Sequence, residues 1–228
     1  YNNMGPYLAG VLVQRKAGCS LVDYLMPRLF LPLGIARPHW ETDPRGMTFG
    51  AGGLEISPSE LLSFIRLYLN DGQLDGRQVL SREWIRQSEA VQVETAPFVA
   101  AEKTDNRFGY GFLFWRGQHN SFRADGKYAK FAIALRDLRT VAVLNAQDTR
   151  QQGVLDAHLA HVIEIVDVEA VGKGAALETL LGGLDVLVGG EVVHDHGDLA
   201  LVKDPGEAFL VKLPDGDGRG DVVAQHHV

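Results

Sequence analysis

Two places in this chain bring together residue types able to move a proton or bind a carbonyl substrate. The first is Tyr1-Asn2-Asn3, a polar triplet running straight into the apolar stretch Tyr7-Leu8-Ala9-Gly10-Val11-Leu12-Val13. A phenol with an ordinary pKa near 10 shuttles protons at neutral pH only where adjacent cations lower that value. A chain that starts with Tyr inside such a triplet reads most simply as a fragment. The second is Arg123-Ala124-Asp125-Gly126-Lys127, which places two cations around a turn-forming pair; on local grounds Asp125-Gly126 signals a hairpin turn. Elsewhere His194-Asp195-His196 sets two imidazoles on one side of an extended segment, but no third ligand follows at a recognisable spacing, so a solvated turn is the better reading. Gly172-Lys173-Gly174 lacks the spacing and the hydroxyl residue of a phosphate loop. Cys19 is the lone cysteine and supports neither a disulfide framework nor a thiolate metal cluster. The reading therefore calls for no metal and no cofactor.

These groups need a scaffold. The 228 residues are 46% hydrophobic and 22% charged, ample for a buried core. The net charge of −7 is concentrated at one end: residues 167–228 carry twelve Asp and Glu against four Lys and Arg. No clustered basic surface suits nucleic acid, and no apolar run is long enough to span a membrane. No basic stretch followed by an apolar one marks a signal peptide, and localisation stays open.

Helical spacing runs over 5–17, with Gly18 as a stop, and resumes over 20–30 behind Ser20 as N-cap, ending at Pro32-Leu33-Gly34. Asn3 is a candidate cap for the first of these. Ser57-Pro58-Ser59-Glu60 forms a capping box ahead of Leu61, Leu62, Phe64, Ile65, Leu67, Tyr68 and Leu69. Ser81 caps a further short helix. From Phe108 the period becomes that of strands: Tyr110–Trp115, Ser121–Arg123, Phe131–Leu135 and Val141–Leu144 are runs of β-formers too close together to be anything but antiparallel neighbours. A helix over 150–165 is expected to cover the resulting sheet.

Taken in order, Tyr1-Asn2-Asn3, Asp23-Tyr24-Leu25 with Phe30-Leu31-Pro32-Leu33-Gly34-Ile35, Gly50-Ala51-Gly52-Gly53-Leu54 with its capped helix, Gly109-Tyr110-Gly111 and Arg123-Ala124-Asp125-Gly126 resemble the serine β-lactamase-related hydrolases. The resemblance is to the class C β-lactamase, D-alanyl-D-alanine carboxypeptidase and esterase group, and it covers the C-terminal half of that fold over roughly residues 1–165. It implies an α+β architecture, an antiparallel sheet flanked by helices in a partial β-lactamase/transpeptidase-like fold. It further implies that Tyr1 is the catalytic phenol that shares the nucleophile's proton, and that Asn3 binds the acyl-side amide of a small-molecule ester, amide or peptide substrate. Arg123, Asp125, Gly126 and Lys127 fall at the pocket-edge strand, where the family has Lys-Thr-Gly or His-x-Gly. Here Ala124 stands where Lys or His is expected, which speaks against β-lactam hydrolysis. Arg123 or Lys127 is then the source of positive charge, and the Lys127 backbone N–H a candidate oxyanion donor.

The family's Ser-x-x-Lys motif occurs nowhere in the chain. Since one missing member of such a constellation removes most of the rate, the chain is expected to be inactive alone. The alternative is a non-catalytic binding or scaffold module on the same fold.

Residues 1–166 thus read as the C-terminal portion of a β-lactamase-related domain. Residues 167–228 read as an acidic, Gly-rich tail of uncertain order, and the abrupt change in composition raises a mistranslated or frame-shifted segment as its origin. Short apolar runs at Val186–Val188, Glu191–Val193, Leu199–Val202 and Phe209–Val211 are its candidate strands.

Overall fold

The computed structural model describes residues 2–100, 104–145, 155, 200–203 and 208–212. Helix α1 spans Met4–Ala17 and ends where Gly18, at φ +69°, takes the left-handed cap. Ser20 then caps α2, Leu21–Leu25, its hydroxyl accepting from the Asp23 backbone N–H. The expected single helix over 20–30 does not form. Pro27 has no N–H to donate to the carbonyl four residues back, and Met26–Phe30 widens into a π-helical turn closed by the Leu31 N–H on the Met26 carbonyl at 2.9 Å.

Strands β1 (His39–Trp40) and β2 (Leu54–Glu55) form a small antiparallel pair ahead of α3, Pro58–Leu69. The capping box at Ser57 and Glu60 is present in both directions. A second small pair, β3 (Gln73–Leu74) with β4 (Arg77–Gln78), leads to α4, Arg82–Glu89, capped by Ser81.

The main sheet contains β5 (Trp115–Arg116), β6 (Ser121–Gly126), β7 (Lys130–Leu135) and β8 (Thr140–Asn145), each antiparallel to the next. Two segments of the tail extend it: β10 (Ala208–Lys212) pairs along β8, and β9 (Ala200–Lys203) pairs with β10. The four runs between 108 and 145 therefore share one sheet, although only the end of the first is a strand. Within Tyr110–Trp115 the backbone reverses, Tyr110 bridging both Val93 and Trp115, with Leu113 at φ +66°. Two glycines explain why. Gly109 sits at φ +110°, and a Cβ on Gly111 would lie 2.3 Å from the Ser88 carbonyl oxygen, because the chain here runs hard against the end of α4.

Helix α3 packs on the sheet through Leu62, Ile65, Tyr68 and Leu69, which meet Phe114, Phe122, Ala132, Ala134, Val141 and Val143 in one core. Aromatic edges organise its centre, with Phe114 and Phe122 T-shaped at 5.5 Å and Tyr68 4.9 Å from Phe114. Of the helix expected over 150–165, only Leu155 falls among the described residues; it is helical and buried. Val186–Val188, Glu191–Val193 and His194-Asp195-His196 lie outside them. Among the described residues no helix is long and apolar enough to cross a membrane.

Candidate functional site

A cleft of about 810 Å³ opens between the start of α3 and the end of the sheet where β6 turns into β7. One wall is Ala36–His39 with Leu54–Pro58; the other is Ala124, Asp125, Gly126, Lys130 and Ala132, with Leu144 and Asn145 from β8. The capping box holds the first wall, since Ser57 fixes both the helix start and the chain entering it. The β6–β7 register holds the second, pairing Gly126 with Lys130 and Asp125 with Phe131.

Three of the cleft's carboxylates are engaged within the protein. Glu55 lies 3.2 Å from His39 Nδ1, and Glu60 accepts from the Ser57 N–H and hydroxyl. Asp125 lies 3.6 Å from Arg123 Nε.

The expected site residues do not all meet. Tyr1 lies outside the described residues. Asn3 is exposed at the start of α1 and makes no side-chain cap bond; the neighbouring Asn2 does that work, its Oδ1 accepting from the Gly5 N–H at 3.0 Å. Asp125 and Gly126 line the cleft, whereas Asn3, Arg123 and Lys127 are not among its lining residues.

Arg123 is 1% exposed. Its Nη1 reaches Asp105 Oδ2 at 2.5 Å and its Nη2 bonds Asn106, on the 3₁₀ turn Thr104–Arg107. This follows from strand alternation: Phe122, Ala124 and Gly126 share one face, and Arg123 and Asp125 share the other. Placed there, the guanidinium ties the 3₁₀ turn to the sheet.

The Asp125-Gly126 turn signal is also displaced. Both residues belong to β6, and the reversal falls at Lys127-Tyr128-Ala129, with Tyr128 at φ +65° and Ala129 at φ +61°. Gly126 serves a close approach instead, because a Cβ there would meet Lys130 Cβ and its carbonyl oxygen at 3.2 Å. Lys127 and Tyr128 stand exposed at the tip, the Lys127 Nζ 4.5 Å from the Tyr128 ring centre. The Lys127 ammonium, hydrogen-bonded to the Tyr128 phenol, holds it below its ordinary pKa, with a smaller contribution from Lys130.

What positions α1 was not legible from motif reading. Gln14 is 4% exposed, and its side-chain amide grips the loop around Thr48 from both ends. Nε2 donates to the Thr48 carbonyl at 3.2 Å and Oε1 accepts from the Thr48 N–H at 2.9 Å. Near the start of the helix, the Tyr7 hydroxyl donates to Asp43 Oδ2 at 2.5 Å. Asp43 Oδ1 meanwhile accepts from the Arg45 and Met47 N–H groups, closing the turn. A glutamine at a nominally apolar helix position was the only signal available. Among the described residues no group of three or more His, Cys, Asp or Glu is arranged to hold a metal.

No protein-family model matches the chain, and no curated protein matches it either. Solved structures do. A Bacillus anthracis protein provisionally named a 6-aminohexanoate-dimer hydrolase superposes with a TM-score of 0.60 at 19% identity, over 72% of this chain and 44% of that one. A protein of Bacteroides dorei DSM 17855 provisionally named a β-lactamase superposes with a TM-score of 0.47 at 21% identity, over 56% of this chain and 43% of that one. The chain spans less than half the length of either structure. At these identities the likeness concerns architecture alone: over the matched part the chain shares its α+β fold with the Bacillus anthracis structure.

Proposed function

We propose that this chain is the sheet-and-helix portion of a serine hydrolase that transfers acyl groups from a small ester, amide or peptide substrate, and that it is inactive alone. The observation that carries the reading is the cleft itself. It brings the Gly126 end of β6, the segment that resembles the family's pocket-edge strand, opposite the capped start of α3.

In this reading Tyr1 moves the proton of a serine supplied with its Ser-x-x-Lys motif from outside these 228 residues, and Asn3 binds the substrate amide. A serine hydroxyl is a poor nucleophile until a neighbour accepts its proton, which is why the phenol is needed. The Lys127 N–H and the Gly126 strand end stabilise the charge that develops on the carbonyl oxygen. Ala124 replaces the usual cation, so the substrates are esters or amides other than β-lactams. Arg123 contributes by holding β6 in place against the 3₁₀ turn. Its pairing with Asp105 favours that role over direct substrate contact.

The absence of Ser-x-x-Lys favours a second reading, in which the same cleft binds a ligand without chemistry. A fluorophosphonate or penicillin probe followed by intact-mass analysis tests the first. The expected result is no adduct on this chain, and an adduct when the coding sequence is extended upstream to include a Ser-x-x-Lys segment. Stoichiometric acylation of a serine within the 228 residues refutes the reading; absence of any adduct on the extended protein leaves the ligand-binding alternative.

A further inference from the structure

Apolar side chains that the acyl-transfer reading does not use gather on the surface around α4. They are Trp84 on the helix, Val91 and Val93 on the segment leaving it, and Phe108, Phe112 and Leu113 on the segment that folds back against it, each between 41% and 55% exposed. The Trp84 and Phe112 rings are 5.7 Å apart. Val93 and Tyr110 exchange backbone hydrogen bonds of 3.0 and 2.9 Å, and a Cβ on Gly109 would lie 2.7 Å from a Val91 methyl carbon, which keeps the two segments side by side. These residues are not among those lining the cleft.

The backbone keeps this surface open. The Phe112 N–H donates to the Ser88 carbonyl at 2.7 Å, and Leu113 follows at φ +66°, a conformation costly for leucine. Strain of that kind persists only where the surroundings impose it. Its effect here is to break the alternation of an extended chain, so that Phe112 and Leu113, consecutive in sequence, both stand exposed.

The size of the patch is that of an interface. With aromatic side chains at roughly 150–250 Å² each and the aliphatic ones somewhat smaller, the group presents about 550 Å². That is near the top of the range of about 300–600 Å² for the largest patch on a monomer. A standard interface takes about 800 Å² from each partner, of which a little over half is apolar. The patch supplies that share entire.

Its chemistry selects the partner. Glu83 and Gln87 border Trp84 on the exposed side of α4, the Gln87 amide donating to the Glu83 carboxylate at 2.7 Å. At about 100° per residue, Arg82 and Arg86 fall on the far side of the helix from Trp84. An anionic lipid surface calls for cations at that border. An uncharged patch is instead complementary to its own copy, since a twofold axis through it sets apolar groups against one another and brings no like charges together.

We infer that this patch is the surface through which two copies of the chain associate into a twofold-symmetric dimer. Sedimentation of the full chain across the micromolar range, where an interface of modest area associates, tests it and is expected to show a monomer–dimer equilibrium. Leu113→Asp suits the positive φ but sets two carboxylates near each other across the axis, and is expected to weaken the dimer about tenfold or more. Leu8→Asp, on the separate exposed ridge Met4, Leu8 and Leu12 of α1, is expected to leave it unchanged. Hydrogen exchange reads the same surface without a substitution: in concentrated relative to dilute wild type, amides around Trp84 and over 108–113 are expected to gain protection. A monomer at every concentration, protection confined to other segments, or a dimer lost in Leu8→Asp and kept in Leu113→Asp overturns the inference. So does a chain that stays monomeric yet binds phosphatidylcholine–phosphatidylserine vesicles through this patch, with binding lost in Leu113→Asp.

Discussion

Replacing Arg123 with methionine separates a structural arginine from a substrate-binding one. Arg123 and Asp105 are paired at 2.5 Å with both side chains 2% exposed, and Asp105 Oδ1 also accepts from the Gln118 N–H. Arg123→Met keeps much of the aliphatic stem but strands the Asp105 carboxylate away from water. Removing one partner of a buried pair costs about 3–5 kcal/mol, far more than the ~1 kcal/mol of an exposed pair. For a chain of this size, where 1 kcal/mol is worth about 2–4 °C, the thermal midpoint should fall by roughly 6–20 °C. The companion Arg123→Met/Asp105→Leu should recover part of the loss, because the most deeply buried carboxylate goes with the guanidinium, while Asp125 and Asn106 still lose their contacts with Arg123. The Gln118 N–H still loses its acceptor, which keeps a residual cost of about 1 kcal/mol. Urea titration of the wild type, both single variants and the double variant closes the cycle. A loss below about 1 kcal/mol in Arg123→Met, together with weakened ligand binding, would refute this placement and return Arg123 to the substrate.

Gln14→Leu should destabilise the protein by about 1–3 kcal/mol in urea unfolding, because it leaves the buried N–H and C=O of Thr48 without their partner; an unchanged midpoint shows that α1 is held otherwise. The Tyr7–Asp43 bond sets two pH limits. The Tyr7 hydroxyl, with the Met47 and Arg45 N–H groups behind it, lowers the Asp43 pKa, so this contribution is complete above the unfolded value near 4 and is lost as the pH falls through the folded one. The same hydrogen bond raises the Tyr7 pKa, so on the alkaline side its contribution is complete below about pH 10 and is lost above it. The stability gap between wild type and Asp43→Asn, followed by thermal melts from pH 2 to 8, should therefore close only at the acid end; a constant gap excludes the linkage. Ala129→Gly should raise stability by up to about 1 kcal/mol, since φ +61° suits glycine better than alanine. A destabilised Ala129→Gly shows that the buried methyl group matters more than the backbone strain.

Local chemistry made much of this architecture readable from the residues in order. Ser20, Ser57 and Ser81 cap helices because a hydroxyl beside a free helical N–H acts over one turn of chain, and Gly18 ends α1 because its φ is a property of one residue. The strands from Ser121 onward follow from alternation and from connections too short for anything but antiparallel pairing. The antiparallel sheet was legible for those reasons. Tertiary contact decided the remainder. The Gly109–Trp115 segment looks like a strand, but the end of α4 forces it to reverse; the Asp125-Gly126 turn moves on to Tyr128 and Ala129 because β6 and β7 keep pairing through Gly126 and Lys130. Arg123 looks like a substrate cation until the partner that fixes it, Asp105, arrives from eighteen residues away. Gln14 shows the same limit, since its partner Thr48 lies thirty-four positions on. A side chain's type and its face on a strand are settled within a few residues of sequence, whereas its burial and its partner depend on which distant segment the fold brings against that face.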